Sequence, residues 1–289
     1  MEKIIKAVSI DVEGCVTEPG GSRVPWPIQK MALLAPFLKL VKSVMGIRFF
    51  LNSGRQAPYI EAVLQALGLI ASMPSIVENG AAIYFPDPKA FKLNPAITEE
   101  KLLAFQEVKK TLIKIMVGLD GLQELGKDFS FSTIPPVGMT IAEYFGFFRQ
   151  ELLKQAGVEK VIEMTHSQSA VDFTIKRVNK RTGLKFWCQE TGIKLEELAG
   201  IGDSRGDLPV LEVVRMPMCP SNATKDVKEL VRARGGYVSY QQTTLGVIDC
   251  VAHLTTQDPF IQETSKQIIR YFLLRHPIEL YGGFDQVPL

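Results

Sequence analysis

Cysteine is scarce in this chain and never paired. Its four residues, Cys15, Cys188, Cys219 and Cys250, lie far apart among 289, with no CxxC spacing. That excludes a disulfide framework and fits buried or incidental thiols in a reducing cytoplasm. An excess of one charge is equally lacking: 33 Lys and Arg against 31 Asp and Glu leave a formal net charge of +2. Such a balance gives no general electrostatic case for nucleic acid or an anionic membrane, and neither partner is expected. No apolar run reaches the length of a membrane span. The opening Met1-Glu2-Lys3-Ile4-Ile5-Lys6 shows no signal-peptide pattern, so a soluble cytoplasmic protein is expected. Internal repeats and low-complexity tracts are also missing. What remains, 46% hydrophobic and 22% charged residues, is ordinary globular composition, enough for one large or two ordinary domains.

The most informative stretch present runs from Ala7 to Thr17. Ala7-Val8-Ser9-Ile10 reads as a strand buried on both faces. It ends in Asp11, then Glu13 two residues on, then Gly14, which releases the chain into a loop. In extended backbone, residues two apart point the same way, so both acids can lean into one crevice. Open α/β sheets bind ligands in the crevice beyond the carboxyl ends of their strands. Taken alone, the same acids could equally cap the next helix or stand in water.

The rest of the chain alternates. After a Gly- and Pro-rich loop (18–27) come a helix from Ile28 to about Ser43, a buried strand Ile47–Leu51, and an amphipathic helix Tyr59–Leu67. Strands at Ser75–Val77 and Ala81–Phe85 flank Glu78-Asn79-Gly80. This alternation predicts a parallel sheet wound with helices. Pro86-Asp87-Pro88 breaks the pattern. Then follow a helix (Thr98–Val117), a strand (Phe129–Ile134), a helix (Ile141–Ala156) and two strands, Lys160–Thr165 and Ala170–Ile175, joined closely enough to form an antiparallel hairpin. Residues 86–176 therefore read as an α+β insert in a core made of 1–85 and 177–289. The alternation resumes with a helix at Thr182–Glu190, a strand at Leu198–Ile201, a helix after Asp207 and a last strand near Gly236–Ser239. An amphipathic helix from Pro259 to Leu274 is expected to cover the sheet.

Three further loops carry chemistry. In Asn52-Ser53-Gly54-Arg55, a hydroxyl, a glycine and free amides at a helix start suit an anion such as phosphate, or simply cap the helix. Lys176-Arg177-Val178-Asn179-Lys180-Arg181 sets four cations at a helix start, against its macrodipole; they call for a negative partner or lie in solvent. Gly202-Asp203-Ser204-Arg205-Gly206-Asp207 is strand, acidic loop, helix once more. On parallel strands these loops would share one edge. Carboxylates gathered there could not all ionise without raised pKa values or a cation among them. Oxygen ligands with no soft donor nearby favour Mg2+.

The order of these loops resembles the haloacid dehalogenase (HAD) superfamily of phosphohydrolases. Its first motif, DxDGT or DxDGV, matches Asp11-Val12-Glu13-Gly14-Cys15-Val16. The second, a strand ending in Ser or Thr, matches Leu51-Asn52-Ser53-Gly54-Arg55. The third, a lysine at a helix start, matches Val178-Asn179-Lys180, and the fourth, GDSxND, matches Gly202 to Asp207. The insert resembles the larger α+β cap of the Cof-like and sugar-phosphatase branch, where Glu78-Asn79-Gly80-Ala81 also recurs. Two positions depart from the pattern. Glu13 replaces the usual second aspartate, as it does in the enolase-phosphatase branch. Gly206 replaces the usual asparagine, for which Arg205, Asn52 or Arg55 could compensate.

The resemblance implies a Rossmann-like α/β core with an inserted cap, and a magnesium-dependent phosphatase acting on a small phosphorylated metabolite such as a sugar phosphate. It implies Asp11 as nucleophile through an aspartyl-phosphate, Glu13 as acid and base, and Ser53, Gly54 and Lys180 around the phosphoryl group. Asp11, Glu13 through its main-chain carbonyl, Asp203 and Asp207 would hold Mg2+. Asn52, Arg55, Arg149 and His166 are the polar candidates for contact with substrate. A non-catalytic sugar-phosphate or metal-binding protein and a phosphomutase are the alternatives. The tail from Pro277 to Leu289 would pack on its own core or form a homo-oligomer with a second subunit.

Overall fold

The computed structural model describes residues 5–21, 24–71, 73–155, 157–167, 169–257 and 261–275. In chain order its elements are β1 (Ala7–Ile10), α1 (Ile28–Met45), β2 (Arg48–Leu51), α2 (Ala57–Ala66), β3 (Ser75–Val77), β4 (Ala82–Pro86), β5 (Lys89–Leu93), α3 (Glu99–Gly118), β6 (Leu122–Gln123), β7 (Ser130–Ile134), α4 (Ile141–Leu153), α5 (Val158–Val161), β8 (Ile162–His166), β9 (Val171–Ile175), α6 (Lys180–Thr191), β10 (Leu198–Ile201), α7 (Leu208–Leu211), β11 (Met216–Cys219), α8 (Lys225–Ala233), β12 (Tyr237–Val238), α9 (Thr243–Gln257) and α10 (Glu263–Arg275).

Every residue of β1 is buried, as a strand covered on both faces requires. It pairs in parallel with β2 on one side and β10 on the other, in a five-stranded parallel sheet of order β12-β11-β10-β1-β2. On one face, Val8, Ile10, Phe49 and Leu51 share a core with Phe37 and Val41 of α1, Val251 of α9 and Ile269 of α10. On the other, Phe50 stacks on Trp187 of α6 with ring centroids 3.9 Å apart, beside Ala7 and Leu198. Covering both faces is what leaves the strand ends as the place for a site.

Several elements differ from the sequence expectation. Ser75–Val77 does not extend the parallel sheet as a full strand: it touches β2 through the bridge Asn52–Ile76 and pairs antiparallel with β4. Pro86-Asp87-Pro88 turns the chain into a hairpin, and Lys89–Leu93 runs back along β4. β11 is not among the strands expected from sequence; it contains Pro217, which sits in register with Gly200 of β10. The helix after Asp207 is only one turn, Leu208–Leu211. At the C-terminus two helices, α9 and α10, pack with α1 in place of the single one expected.

Between β5 and α6, an antiparallel sheet of order β6-β7-β9-β8 carries α3 and α4. It encloses a second core of Phe105, Leu112, Phe131, Tyr144, Phe148 and Phe173. Among the described residues no helix is long and apolar enough to cross a membrane. The tail expected to pack or pair, 277–289, lies outside the described residues.

Candidate active site

The carboxyl ends of β1, β2 and β10 deliver Asp11, Ser53 and Asp203 to one place. The Asp11 amide donates to the Ile201 carbonyl at 3.0 Å, extending the β1–β10 ladder up to the acid itself. Lys180 arrives by another route. It is the first residue of α6, which follows β9 of the antiparallel sheet and not a strand of the parallel one. Asn179 caps that helix, its Oδ1 accepting from the amides of Arg181 and Thr182 at 3.1 Å each. The helix start is set by a bare backbone contact. A Cβ on Gly80, whose φ is +94°, would lie 2.1 Å from the Asn179 carbonyl oxygen, and one on Gly183 would lie 2.5 Å from Gly80 Cα. Only glycines allow this approach, and it aims Lys180 inward.

Lys180 Nζ donates to Asp11 Oδ1 at 2.8 Å and to Asp207 Oδ1 at 2.7 Å. The other oxygen of Asp207 accepts from the amides of Asp203 and Ser204 at 3.0 Å each and from Ser204 Oγ at 3.2 Å. Oxygens of Asp11, Asp203 and Asp207, all buried, lie within 4.8 Å of one another. Gly14, at φ +77°, makes room for this: a Cβ there would lie 2.1 Å from Asp203 Oδ2. Burial and then the charge of Asp207 push the Asp11 carboxyl up to about 7, although Lys180 pulls the other way. Burial, Asp207 and Asp11 push Asp203 up to about 9. Burial also works against the Lys180 ammonium, but Asp11 and Asp207 overcome it and hold its pKa above the ordinary lysine range.

Three carboxylates thus crowd one ammonium, with oxygen as the donor atom throughout. That set fits a hard divalent cation such as Mg2+. The crowding has a measurable consequence. Asp11 and Asp203 have an ordinary value of 3.8, and folding raises both, so the native state holds more protons than the unfolded chain between about pH 4 and pH 9. Stability must fall as pH rises through that window. In EDTA, the melting temperature should be lower at pH 8 than at pH 6, and added Mg2+ should raise it more at pH 8. A magnesium shift of equal size at both pH values would contradict the crowded-carboxylate account.

The other residues singled out from sequence fare differently. Ser53 and Gly54 line the cavity above Asp11, together with Glu13, Asn79, Gly206 and His166. The Ser53 hydroxyl also accepts from the Arg55 amide at 3.2 Å. The Glu13 side chain turns away from the aspartates: Arg55 Nε and Nη2 donate to its two oxygens at 3.0 and 2.6 Å. Asn52 is buried but is not part of the cavity wall, and Arg55 is held by acids. Arg149 stands exposed on α4, away from the cavity, because that face of the helix looks outward while Tyr144 and Phe148 face the core. Arg205 Nε donates to Asp226, so it does not fill the place left open at Gly206. Of the basic run before α6, Lys180 meets Asp11 and Asp207 and Arg181 meets Glu212, while Lys176 and Arg177 are exposed.

Several cavity residues were not found from sequence. Glu124, Lys127, Thr165, Ser167, Ser169 and Asp172 line it from the antiparallel sheet. Glu124 and Lys127 follow a two-residue strand with no periodicity to mark it, and Asp172 reads as a polar position between Val171 and Phe173 of β9. Glu78, which the sequence marks only as the first of the four residues Glu78-Asn79-Gly80-Ala81, has a structural role. Its carboxylate accepts from the amides of Asp128, Phe129 and Ser130 at 2.9 to 3.1 Å and from Ser130 Oγ at 2.9 Å, tying the start of β7 to the turn beside Lys180.

A family model described as haloacid dehalogenase-like hydrolase matches residues 142–239, which include Lys180, Asp203 and Asp207. The phosphoglycolate phosphatase of Methanobrevibacter smithii is 24% identical over 231 residues, spanning 78% of this chain and 89% of that protein. Two solved structures share the fold. A HAD/COF-like hydrolase from Plasmodium vivax superposes with a TM-score of 0.64 at 14% identity, over 87% of this chain and 94% of that one. The sucrose-phosphatase of Synechocystis, in complex with sucrose and phosphate, superposes with a TM-score of 0.61 at 15% identity, over 88% of this chain and 98% of that one. The chain is thus similar in sequence to phosphatases of this kind and shares the fold of haloacid dehalogenase-like hydrolases.

Proposed function

We propose that the protein is a magnesium-dependent phosphatase of a small phosphorylated metabolite, a sugar phosphate or a related phosphomonoester. One observation carries the reading. Lys180 bridges Asp11 and Asp207 at the floor of a cavity that Ser53 and Asp203 also line. Asp11 is the nucleophile, forming an aspartyl-phosphate by in-line attack. Asp11, Asp203 and Asp207, with the main-chain carbonyl of Glu13, are the residues to hold Mg2+, which when bound supplies the charge neutralisation that a carboxylate approaching a phosphate dianion needs. Ser53 and the Gly54 amide grip phosphoryl oxygens, and Lys180 stabilises their charge as the bond to the leaving group lengthens. Glu13 gives a proton to the departing alkoxide and later takes one from the water that hydrolyses the intermediate. For either step its carboxylate has to leave the Arg55 fork.

Residues 86–176 act as a cap that excludes water and selects the leaving group. Support comes from the polar side chains this region sends to the cavity, and from relatives whose names, phosphoglycolate phosphatase and sucrose-phosphatase, denote small phosphate esters. The test is a panel of phosphorylated metabolites assayed with and without Mg2+. Turnover of small phosphomonoesters, lost in EDTA and regained with Mg2+, is expected. Magnesium binding without turnover of any ester would replace this reading with a non-catalytic one, and a need for a bisphosphate activator would replace it with a mutase.

A further inference from the structure

The acid assigned to the leaving group is held, with both oxygens, by a buried cation. Arg55 is 5% exposed at its side chain and Glu13 is 26% exposed. The remaining arm of the guanidinium, Nη1, lies 2.7 Å from Oε1 of Glu124, a side chain 8% exposed that belongs to the region between β5 and α6. Glu124 Oε2 in turn lies 2.8 Å from Lys127 Nζ, and Lys127 reaches Ser132 Oγ and, at 3.6 Å, Asp172 Oδ1. Charges alternate from Glu13 through Arg55, Glu124 and Lys127 to Asp172, and the three inner members are the most buried.

While the fork holds, neither oxygen of Glu13 can carry a proton to an ester oxygen. Turning Glu13 toward the substrate takes two hydrogen bonds from a buried guanidinium. Left with no anion, that guanidinium would be an uncompensated buried charge, which is strongly unfavourable. We propose that Glu124 is a positioning residue for Glu13: it keeps Arg55 paired when Glu13 leaves the fork, and so makes the turn toward the reacting group affordable. The inference rests on the phosphatase reading. Burial opposes the charge on Glu124, yet Lys127 and Arg55 outweigh it and hold the carboxyl below its usual range, so the second partner is ionised and already in contact. The proton passes from Glu13 to the bridging ester oxygen as the P–O bond breaks, and returns to Glu13 from the water that attacks the aspartyl-phosphate. Because Glu124 and Lys127 lie between β5 and α6, the hand-over is available only while that region is seated on Arg55.

The decisive variant is Glu124→Gln, which keeps shape and removes charge. Its kcat and KM are compared with those of the wild type on an alkyl phosphate, whose leaving group needs a proton, and on p-nitrophenyl phosphate, whose leaving group hardly does. General acid catalysis contributes about 10²–10⁴-fold, so kcat on the alkyl ester should fall by about 10- to 100-fold, with a much smaller fall on the aryl ester and little change in KM. In a Glu13→Gln background, Glu124→Gln should add nothing further on the alkyl ester, because it acts through Glu13. Equal losses on both esters, no loss at all, or an additional loss in the double variant would overturn the inference. Should the amide variant not fold by thermal melting, Glu124→Asp carries the same test, since it withdraws the charge by one methylene; a split in the same direction supports the inference and none overturns it. A wild type that turns over no ester of the metabolite panel overturns the phosphatase reading and this inference with it. Wild-type turnover with an unsplit Glu124 variant overturns this inference alone.

Discussion

Lys180→Met should remove both turnover and much of the stability of the protein at pH 8. The ammonium is buried and is held by Asp11 and Asp207 at 2.8 and 2.7 Å. Removing one partner of a buried ion pair leaves uncompensated charge and typically costs about 3–5 kcal/mol. Here Asp11 can escape part of that penalty by taking up a proton. Asp11 already titrates near 7 with Lys180 beside it, and without Lys180 its pKa must rise further. The loss should therefore be larger at pH 8 than at pH 5, where Asp11 is neutral in either protein. Lys180 does not itself set this window: its pKa is raised, so its contribution is fully present below the unfolded lysine value of 10.5. Urea unfolding at the two pH values measures the difference, and a loss independent of pH would contradict it. Turnover should fall by about 10²–10³-fold, the usual effect of removing a preorganised group that meets transition-state charge. Lys180→Arg, which keeps the charge but not the point geometry, should recover more stability than activity.

How far this site could be read in advance depended on how local its parts are. Asp11, Ser53 and Asp203 each end a short buried strand, and the strand pattern and turn residues are visible within ten residues of sequence. Parallel pairing of β1 with β2 and β10 then brings the three together without further information. Lys180 was legible for an electrostatic reason: a cation at a helix start opposes the macrodipole unless an anion faces it, and two do. The upper half of the cavity had no such marks. Glu124 and Lys127 gain meaning only through Arg55 and Asp172, far away in the chain, and one polar position in β9 looks the same whether it faces water or a cavity. β11 is hard to read for a similar reason, since a central strand with Pro217 in it contradicts local propensity and is tolerated only by its neighbours. The Glu13–Arg55 fork shows the limit from the other side. Both residues were assigned to the same crevice, but one was paired with the leaving group and the other with substrate, when each first satisfies its partner.

Asp11→Asn should give a protein that is inactive and, without metal, more stable than the parent. The activity follows from the assigned role: an amide cannot form the acyl-phosphate, so turnover should drop by about 10³-fold or more. The stability follows from the crowding. With a folded pKa of about 7 against an ordinary 3.8, the ionised Asp11 carboxylate is disfavoured by the native state. Above pH 7 the wild type bears that penalty and the amide does not, while below about pH 4 both side chains are neutral and the difference vanishes. At pH 8 in EDTA the variant should gain on the order of 1–3 kcal/mol, and its oxygen can still accept from Lys180. Saturating Mg2+ should narrow or reverse the order, because the parent then gains a charged ligand that the amide lacks. Melting curves across pH, with EDTA or Mg2+, read all of this at once. Full activity in the variant would refute Asp11 as nucleophile. A variant less stable than the parent at pH 8 in EDTA would refute something more basic, the claim that these buried acids repel one another until a cation joins them.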